Sequence, residues 1–166
     1  MELEVVVPDV EEIRAGEPRA VVLENARRKA RAVAPQASAG ATVLGADTEV
    51  VVEGRLLGKA TDEGQARSHL ATLSGHTHDV LGGVVLLGPD AVERSGVAVS
   101  RVTFRQLDDA TLDLYLASGE WRDRAGAYAI QGLGSILIER MEGDFSNVVG
   151  LPVGLLLELA PALAPR

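Results

Sequence analysis

Apolar positions along the chain fall into short runs bounded by turn residues, and into stripes that recur every three or four residues. The first pattern predicts strands and hairpins, the second predicts helices between them. Leu3 to Val7 reads as a short strand. Pro18 to Ala34 reads as a helix, with Pro18 in the first turn, Pro35 beyond the last, and a stripe of Leu23, Ala26, Ala30 and Val33. Val43–Ala46 and Val50–Val52 are apolar runs on either side of Asp47-Thr48. Glu53-Gly54 reads as a hairpin turn and Leu56-Leu57 as the returning strand.

Asp62 to Ser74 predicts a second helix. Asp62 and Gln65 resemble a capping box, Ala66, Leu70 and Leu73 form the stripe, and Gly75 closes the helix. Val80–Leu87 and Val92–Phe104 predict two long strands joined through Gly88-Pro89-Asp90. Asp108–Ser118 predicts a third helix, with Leu112, Tyr115 and Leu116 inward and Gly119 at its end. Ala125–Ile130 and Ser135–Arg140 read as strands around Gln131-Gly132-Leu133-Gly134. Gly143 and Asp144 mark a turn, and Gly150-Leu151-Pro152 precedes a last helix, Val153–Leu163. Hairpins mixed with helices predict one α/β domain, residues 1–166, with a mixed twisted sheet.

Composition narrows the class. A chain of 166 residues with 46% apolar and 24% charged residues is long enough and apolar enough for one packed core. Aromatics are 3%, so that core is built from Val, Leu, Ile and Ala. The absence of cysteine excludes disulfides and cysteine-ligated zinc or iron–sulfur centres, and fits a reducing compartment. No apolar run is long enough to span a membrane and no basic-then-apolar leader opens the chain, so a cytoplasmic protein is expected. A net charge of −8 argues against broad attraction to nucleic acid or an anionic membrane. An RNA-binding module is disfavoured further by the scarcity of aromatics for base stacking. A small anionic ligand remains compatible, given a local cationic pocket or a divalent metal.

Candidate chemistry gathers around Asp47-Thr48. If the Glu53-Gly54 turn has two residues, Val52 faces Arg55 and position 48 faces position 59. Lys59 then returns to the end of the hairpin where Asp47 and Thr48 sit. A carboxylate, a hydroxyl and an ammonium in one place suit a metal-bound phosphate. Strand alternation puts Thr48 and Lys59 on one face and Asp47 on the other, unless the ladder ends or bulges there. The acidic cluster Asp9, Glu11 and Glu12 can hold a metal or simply be solvated. The basic run Arg27, Arg28, Lys29 and Arg31 suits a helix C-terminus, and one of the four can turn inward to a phosphate; periodicity does not choose which. His69 lies within the second helix. His76 and His78 have strand spacing, which fits a metal pair or the solvent face of an edge strand.

Several stretches taken together resemble a known family. They are Asn25-Ala-Arg-Arg-Lys-Ala30, Gly45-Ala-Asp-Thr48, Gly58-Lys59, Ser118-Gly-Glu-Trp-Arg-Asp-Arg-Ala-Gly-Ala-Tyr-Ala-Ile-Gln-Gly132 and Ser146-Asn-Val-Val-Gly-Leu-Pro152. In this order and spacing the chain resembles the Maf family of nucleoside triphosphate pyrophosphatases, from about Pro8 onward. The resemblance implies an elongated α/β domain with a deep central cleft, related in shape to inosine triphosphate pyrophosphatases. It implies hydrolysis of a nucleoside triphosphate to the monophosphate and pyrophosphate, with Mg²⁺ or Mn²⁺.

Residue by residue, the resemblance makes Asp47 the catalytic general base beside the metal, and Thr48 a contributor to substrate selection. Lys59 becomes the phosphate-side lysine, Lys29 the lysine of the helix motif, Glu12 an acidic position near the metal, and Gln131 a reader of the base. The amide of Gln131 offers both a donor and an acceptor to a pyrimidine imide edge; a buried structural glutamine is the other reading of that residue. The Ala-Tyr-Ala-Ile-Gln-Gly segment resembles the dTTP/UTP branch, whereas the branch acting on 7-methyl-GTP has Glu there. dTTP and UTP are therefore the expected substrates, with modified pyrimidine nucleotides such as 5-methyl-UTP alongside. The implied role is removal of non-standard nucleotides; some relatives are linked to arrest of septum formation, and a homodimer is implied.

The chain departs from the family pattern at its start. Family members open with a strand and a Ser-x-Ser-Pro-Arg-Arg type loop that meets the triphosphate, and this chain starts beyond it. Reduced or absent turnover, with a raw sheet edge and exposed apolar surface, is the corresponding expectation. A catalytically weak nucleotide-binding or division-regulating protein is thus the alternative to an active enzyme. Ala60 replaces the proline of Gly-Lys-Pro, which loosens that turn. Glu49 stands where the family has an apolar residue, and an outward-facing strand residue is expected there rather than a further metal-side carboxylate.

Overall fold

The computed structural model describes residues 3–90 and 92–164. Its centre is a five-stranded sheet made of β1 (Val43–Val52), β2 (Arg55–Leu57), β3 (Thr77–Leu87), β4 (Glu93–Phe104) and β5 (Ile138–Glu142), in the order β2-β1-β3-β4-β5. All four pairings are antiparallel, where a mixed sheet was expected. Hairpins make β1–β2 and β3–β4, and the chain between β2 and β3 re-enters beside β1 from the opposite end, which keeps the alternation of direction.

The first hairpin has the register predicted from its turn. Val52 faces Arg55 and Val50 faces Leu57. Glu53 and Gly54 both take positive φ, 49° and 75°, as a type I′ turn requires. β2 then stops after three residues. The outer edge of β1 from 43 to 49 has no strand partner among the described residues.

Helix α1 (Pro18–Val33) covers one face of the sheet. Val43 and Val85 pack with Ala26 and Ala30, while Val51 and Leu81 pack with Val22. The helix lies close because two strand glycines leave room. A Cβ on Gly45 would fall against the Ala26 carbonyl and 2.8 Å from Ala30, and one on Gly83 would come 2.6 Å from the Val22 carbonyl oxygen. The other face carries the larger core, where Val50, Val80 and Val102 meet α2 (Glu63–Leu73) and α3 (Asp109–Ser118). The short helices α4 (Phe145–Val149) and α5 (Val153–Leu159) extend this second layer over β3 and β4.

Helix ends follow local chemistry. Asp62 and Asp108 accept from the amides of Gln65 and Thr111. Gln65 reaches back one residue further than a capping box requires, to the amide of Thr61. Gly75 and Gly119 close their helices with φ of 70° and 72°.

Three expected strands differ. Leu3–Val7 is irregular and largely exposed rather than a strand, with no ladder to hold it. Ala125–Ile130 is a loop, because Gly126 and Ala127 take positive φ of 66° and 59° and break the extended path. Ser135–Arg140 divides into a 3₁₀ helix over Gly132–Leu137 and β5. The last helix likewise ends at Leu159, with a 3₁₀ turn over Pro161–Leu163. Among the described residues no helix is long and apolar enough to cross a membrane.

Candidate active site

A cleft opens beside β1 where β2 ends. Its lining includes Lys29, Asp47, Thr48, Lys59, Arg124 and Gln131. Five of the six residues predicted from sequence therefore line one cavity, and the sixth, Glu12, is tied to two of them. Asp47 and Thr48 point to opposite faces of β1, as alternation demands. Both reach the cleft because the short β2 leaves this part of the strand edge uncovered.

Helix α1 supplies the contact that strand pairing could not. Lys29 Nζ donates to Asp47 Oδ1 at 2.5 Å and lies 2.8 Å from Glu12 Oε1. The other members of the basic run are used elsewhere. Arg27 pairs with Glu24 and Glu93, Arg28 with Glu24, and Arg31 with Glu93. Asn25, one helical turn before Lys29, is buried and holds the segment that carries Glu12. Its Oδ1 accepts from the Ile13 amide at 2.8 Å and its Nδ2 donates to the Ile13 carbonyl at 3.0 Å. Asn25 and Lys29 at i and i+4 form a polar line along a packed helix face, which is the sequence signal that marks Asn25.

Lys59 reaches the cleft by leaving the ladder. It bridges to Ala125 rather than continuing the pairing with β1, and its ammonium donates to both Glu12 oxygens at 3.3 and 3.4 Å. Thr48 Oγ1 donates to the Gly150 carbonyl at 3.4 Å, joining β1 to the end of α4. That end is fixed by buried Asn147, whose Nδ2 donates to the Val80 carbonyl and to Ser100 Oγ. Gln131 is exposed at the cleft, at the start of the 3₁₀ helix. Glu120 shapes that turn by accepting from the amides of Leu133 and Gly134, each at 3.1 Å.

Charge and burial work against each other here. Burial pushes the Asp47 carboxyl above its ordinary range, although the Lys29 hydrogen bond and charge pull it down. Burial also acts to raise Glu12, but Lys29 and Lys59 outweigh it and hold that carboxyl below its usual value. The Lys29 ammonium loses hydration, yet its bonds to Asp47 and Glu12 raise it, so it stays charged. Glu49 is half-buried on the same face of β1 as Asp47, not an outward residue. Burial, and then the charges of Asp47 and Glu12, push it up to about 7.

Asp47 Oδ2 is buried with no hydrogen-bond partner among the described residues. An orphaned carboxylate oxygen is costly unless a cation or donor meets it. Hard oxygen donors on Asp47 and Glu12 fit a divalent metal of the Mg²⁺ type. Among the described residues no group of three or more His, Cys, Asp or Glu side chains is placed to hold a metal.

The histidines are not part of this site. β3 is the central strand, so His78 is buried rather than at an edge. Its Nε2 lies 2.8 Å from Tyr128 Oη, with Phe104 packed edge-on. His76 Nδ1 meets the Ser74 carbonyl, and His69 stays half-buried on α2.

The sequence pattern of the family described as Maf-like protein matches residues 1–163. The chain belongs to this family. It is 46% identical over 155 residues to a dTTP/UTP pyrophosphatase of Deinococcus radiodurans, covering 93% of this chain and 78% of the relative. A dTTP/UTP pyrophosphatase of Thermococcus gammatolerans is 43% identical, with 93% of this chain and 82% of the relative covered. One of Pyrococcus furiosus is 44% identical over 118 residues, covering 71% and 62%. For this Maf family member, the α/β architecture beside a cleft agrees with the expectation from its motifs.

Proposed function

We propose that this chain hydrolyses nucleoside triphosphates, dTTP and UTP foremost, to the monophosphate and pyrophosphate. The observation that carries the reading is the Lys29–Asp47 contact in a cleft that also holds Lys59 and Gln131, in a chain whose relatives bear that activity in their names.

In this reading water adds to phosphorus as the α–β phosphoanhydride bond breaks, and pyrophosphate departs with the bridging oxygen. Asp47 takes the proton from water. Burial raises its basicity, while Lys29 orients it through Oδ1 and leaves Oδ2 free. Lys59 meets the phosphates, and Glu12, paired with Lys29 and Lys59 alike, keeps the two ammonium groups together on this side of the cleft. Asp47 and Glu12 would hold the divalent cation, Mg²⁺ or Mn²⁺. When bound, it supplies charge neutralisation on the phosphates and a lower pKa for coordinated water. Thr48 contributes to substrate selection from the cleft wall, and the Gln131 amide pairs with the pyrimidine imide edge.

Pyrophosphate release from dTTP, UTP, CTP, GTP and 7-methyl-GTP, with Mg²⁺ or Mn²⁺, tests this directly against Asp47→Asn. Turnover of dTTP and UTP that the substitution removes is the expected result. Nucleotide binding without turnover in the unmodified chain would point instead to a non-catalytic nucleotide-binding protein.

A further inference from the structure

Three cations line the cleft among the described residues, namely Lys29, Lys59 and Arg124. The two lysines are already compensated. Lys29 bonds Asp47 and Glu12, and Lys59 bonds Glu12. Arg124 is in no ion pair among the described residues. Asp47 and Asp123 also line the cleft, with Glu12 and Glu49 beside it. A triphosphate, with about four negative charges of its own, meets a crowd of carboxylates here and needs a cation that is not already spent.

The loop that carries Arg124 is held firmly. Ala125 bridges to Lys59, and the Gly126 amide donates to the Leu57 carbonyl at 2.7 Å. Arg124 thus directly precedes the residue paired with Lys59, and both cations line the same cleft. Its carbonyl accepts from the Ala127 amide at 3.0 Å. Asp123 and Ala127 on either side hold positive φ of 58° and 59°, a conformation that side-chain-bearing residues rarely adopt, so the turn is sharply defined.

Upstream, Trp121 is buried and donates Nε1–H to the Leu116 carbonyl. Arg122 stacks on the Trp121 ring, 4.7 Å from its centroid, and does not line the cleft. The two arginines of one loop are therefore divided, one on the tryptophan face and one at the cavity.

Building on the proposed function, we propose that Arg124 is the pyrophosphate anchor of this site. Its guanidinium binds the β- and γ-phosphates in the ground state and keeps hold of them as pyrophosphate departs. A planar guanidinium engages two phosphate oxygens at once, which an ammonium cannot do.

Inorganic pyrophosphate, in the presence of Mg²⁺, is the probe. Its affinity is measured by calorimetry for the full chain and for Arg124→Ala, Arg124→Lys and Arg122→Ala, with UMP as the ligand that lacks the pyrophosphate group. Steady-state constants for UTP accompany these measurements. Arg124→Ala is expected to weaken pyrophosphate by about tenfold or more, to raise KM for UTP by a similar factor, and to leave UMP within about twofold. Arg124→Lys should recover part of the loss, and Arg122→Ala should match the unmodified chain.

Pyrophosphate affinity within twofold of normal in Arg124→Ala would overturn the assignment, as would an equal loss of UMP. Failure of the unmodified chain to bind pyrophosphate would overturn it too. If that chain binds pyrophosphate but turns over no triphosphate, the proposed activity falls, while loss of binding in Arg124→Ala still supports the anchor.

Discussion

Lys29 Nζ and Asp47 Oδ1 lie 2.5 Å apart across the interface between α1 and β1, and the same ammonium is 2.8 Å from Glu12. One cation thus serves two carboxylates that come from different parts of the chain. Lys29→Met would leave both acids facing each other without it. A loss of about 2 kcal/mol in urea unfolding at neutral pH is expected, between the values for exposed and fully buried pairs because the lysine is partly solvated. Lys29→Arg should recover some stability but not the short geometry.

Asp47→Asn keeps the shape of the side chain and removes its basicity. Turnover of UTP should fall by about 10²–10⁴-fold, the range for loss of a general base. The thermal midpoint should stay near normal or rise, because the substitution removes a buried charge whose Oδ2 has no partner. A fall in activity that merely follows loss of folded protein would contradict the assigned role.

The contact between α1 and the sheet also depends on Gly45. In Gly45→Ala the new methyl group would press on the Ala26 carbonyl and on Ala30. Displacement of α1 should cost about 1–3 kcal/mol or more, as in other overpacked sites, and should move Lys29 from Asp47. Thermal melting and pyrophosphate release read the two effects separately.

Asn25→Ala strands the amide and carbonyl of Ile13. A stability loss of about 1–3 kcal/mol is expected, the usual cost of lost paired bonds. Hydrogen exchange should rise in residues 10–14, which carry Glu12, while the β3–β4 ladder stays protected. Unchanged exchange in that segment would show that Asn25 does not hold it.

His78 gives the protein an acid limit. Burial lowers its imidazole from 6.5 to about 4, so the unfolded chain binds the proton more readily than the folded one. The associated stability is present above pH 6.5 and is lost as pH falls through about 4. The shift corresponds to about 3 kcal/mol over that window. Urea midpoints measured from pH 7 to pH 4 should fall less steeply in His78→Gln, which cannot take up the proton. Parallel slopes for the two proteins would remove His78 as the source.

Much of this protein follows from sequence alone, for reasons of short range. The Glu53-Gly54 turn sets the β1–β2 register, since a two-residue turn fixes which positions face each other across it. Asp62, Asp108, Gly75 and Gly119 marked helix ends through caps made within a few residues. The motifs group Asp47, Thr48, Lys59, Lys29 and Gln131, and the cleft brings those residues to one cavity.

Tertiary structure decided the rest, because it turns on which surfaces meet. Periodicity could not choose among Arg27, Arg28, Lys29 and Arg31; close packing of α1 over Gly45 and Gly83 turns Lys29 to Asp47 and leaves the arginines to Glu24 and Glu93. Alternation sent Asp47 and Thr48 to opposite faces; the early end of β2 lets both border the cleft. Ala125–Ile130 has strand-like composition, yet Gly126 and Ala127 bend it around the site and leave Arg124 next to the residue paired with Lys59. Local hydrogen bonds are written in neighbouring residues, whereas a site assembled from a helix, a strand and a loop exists only once the core has packed them together.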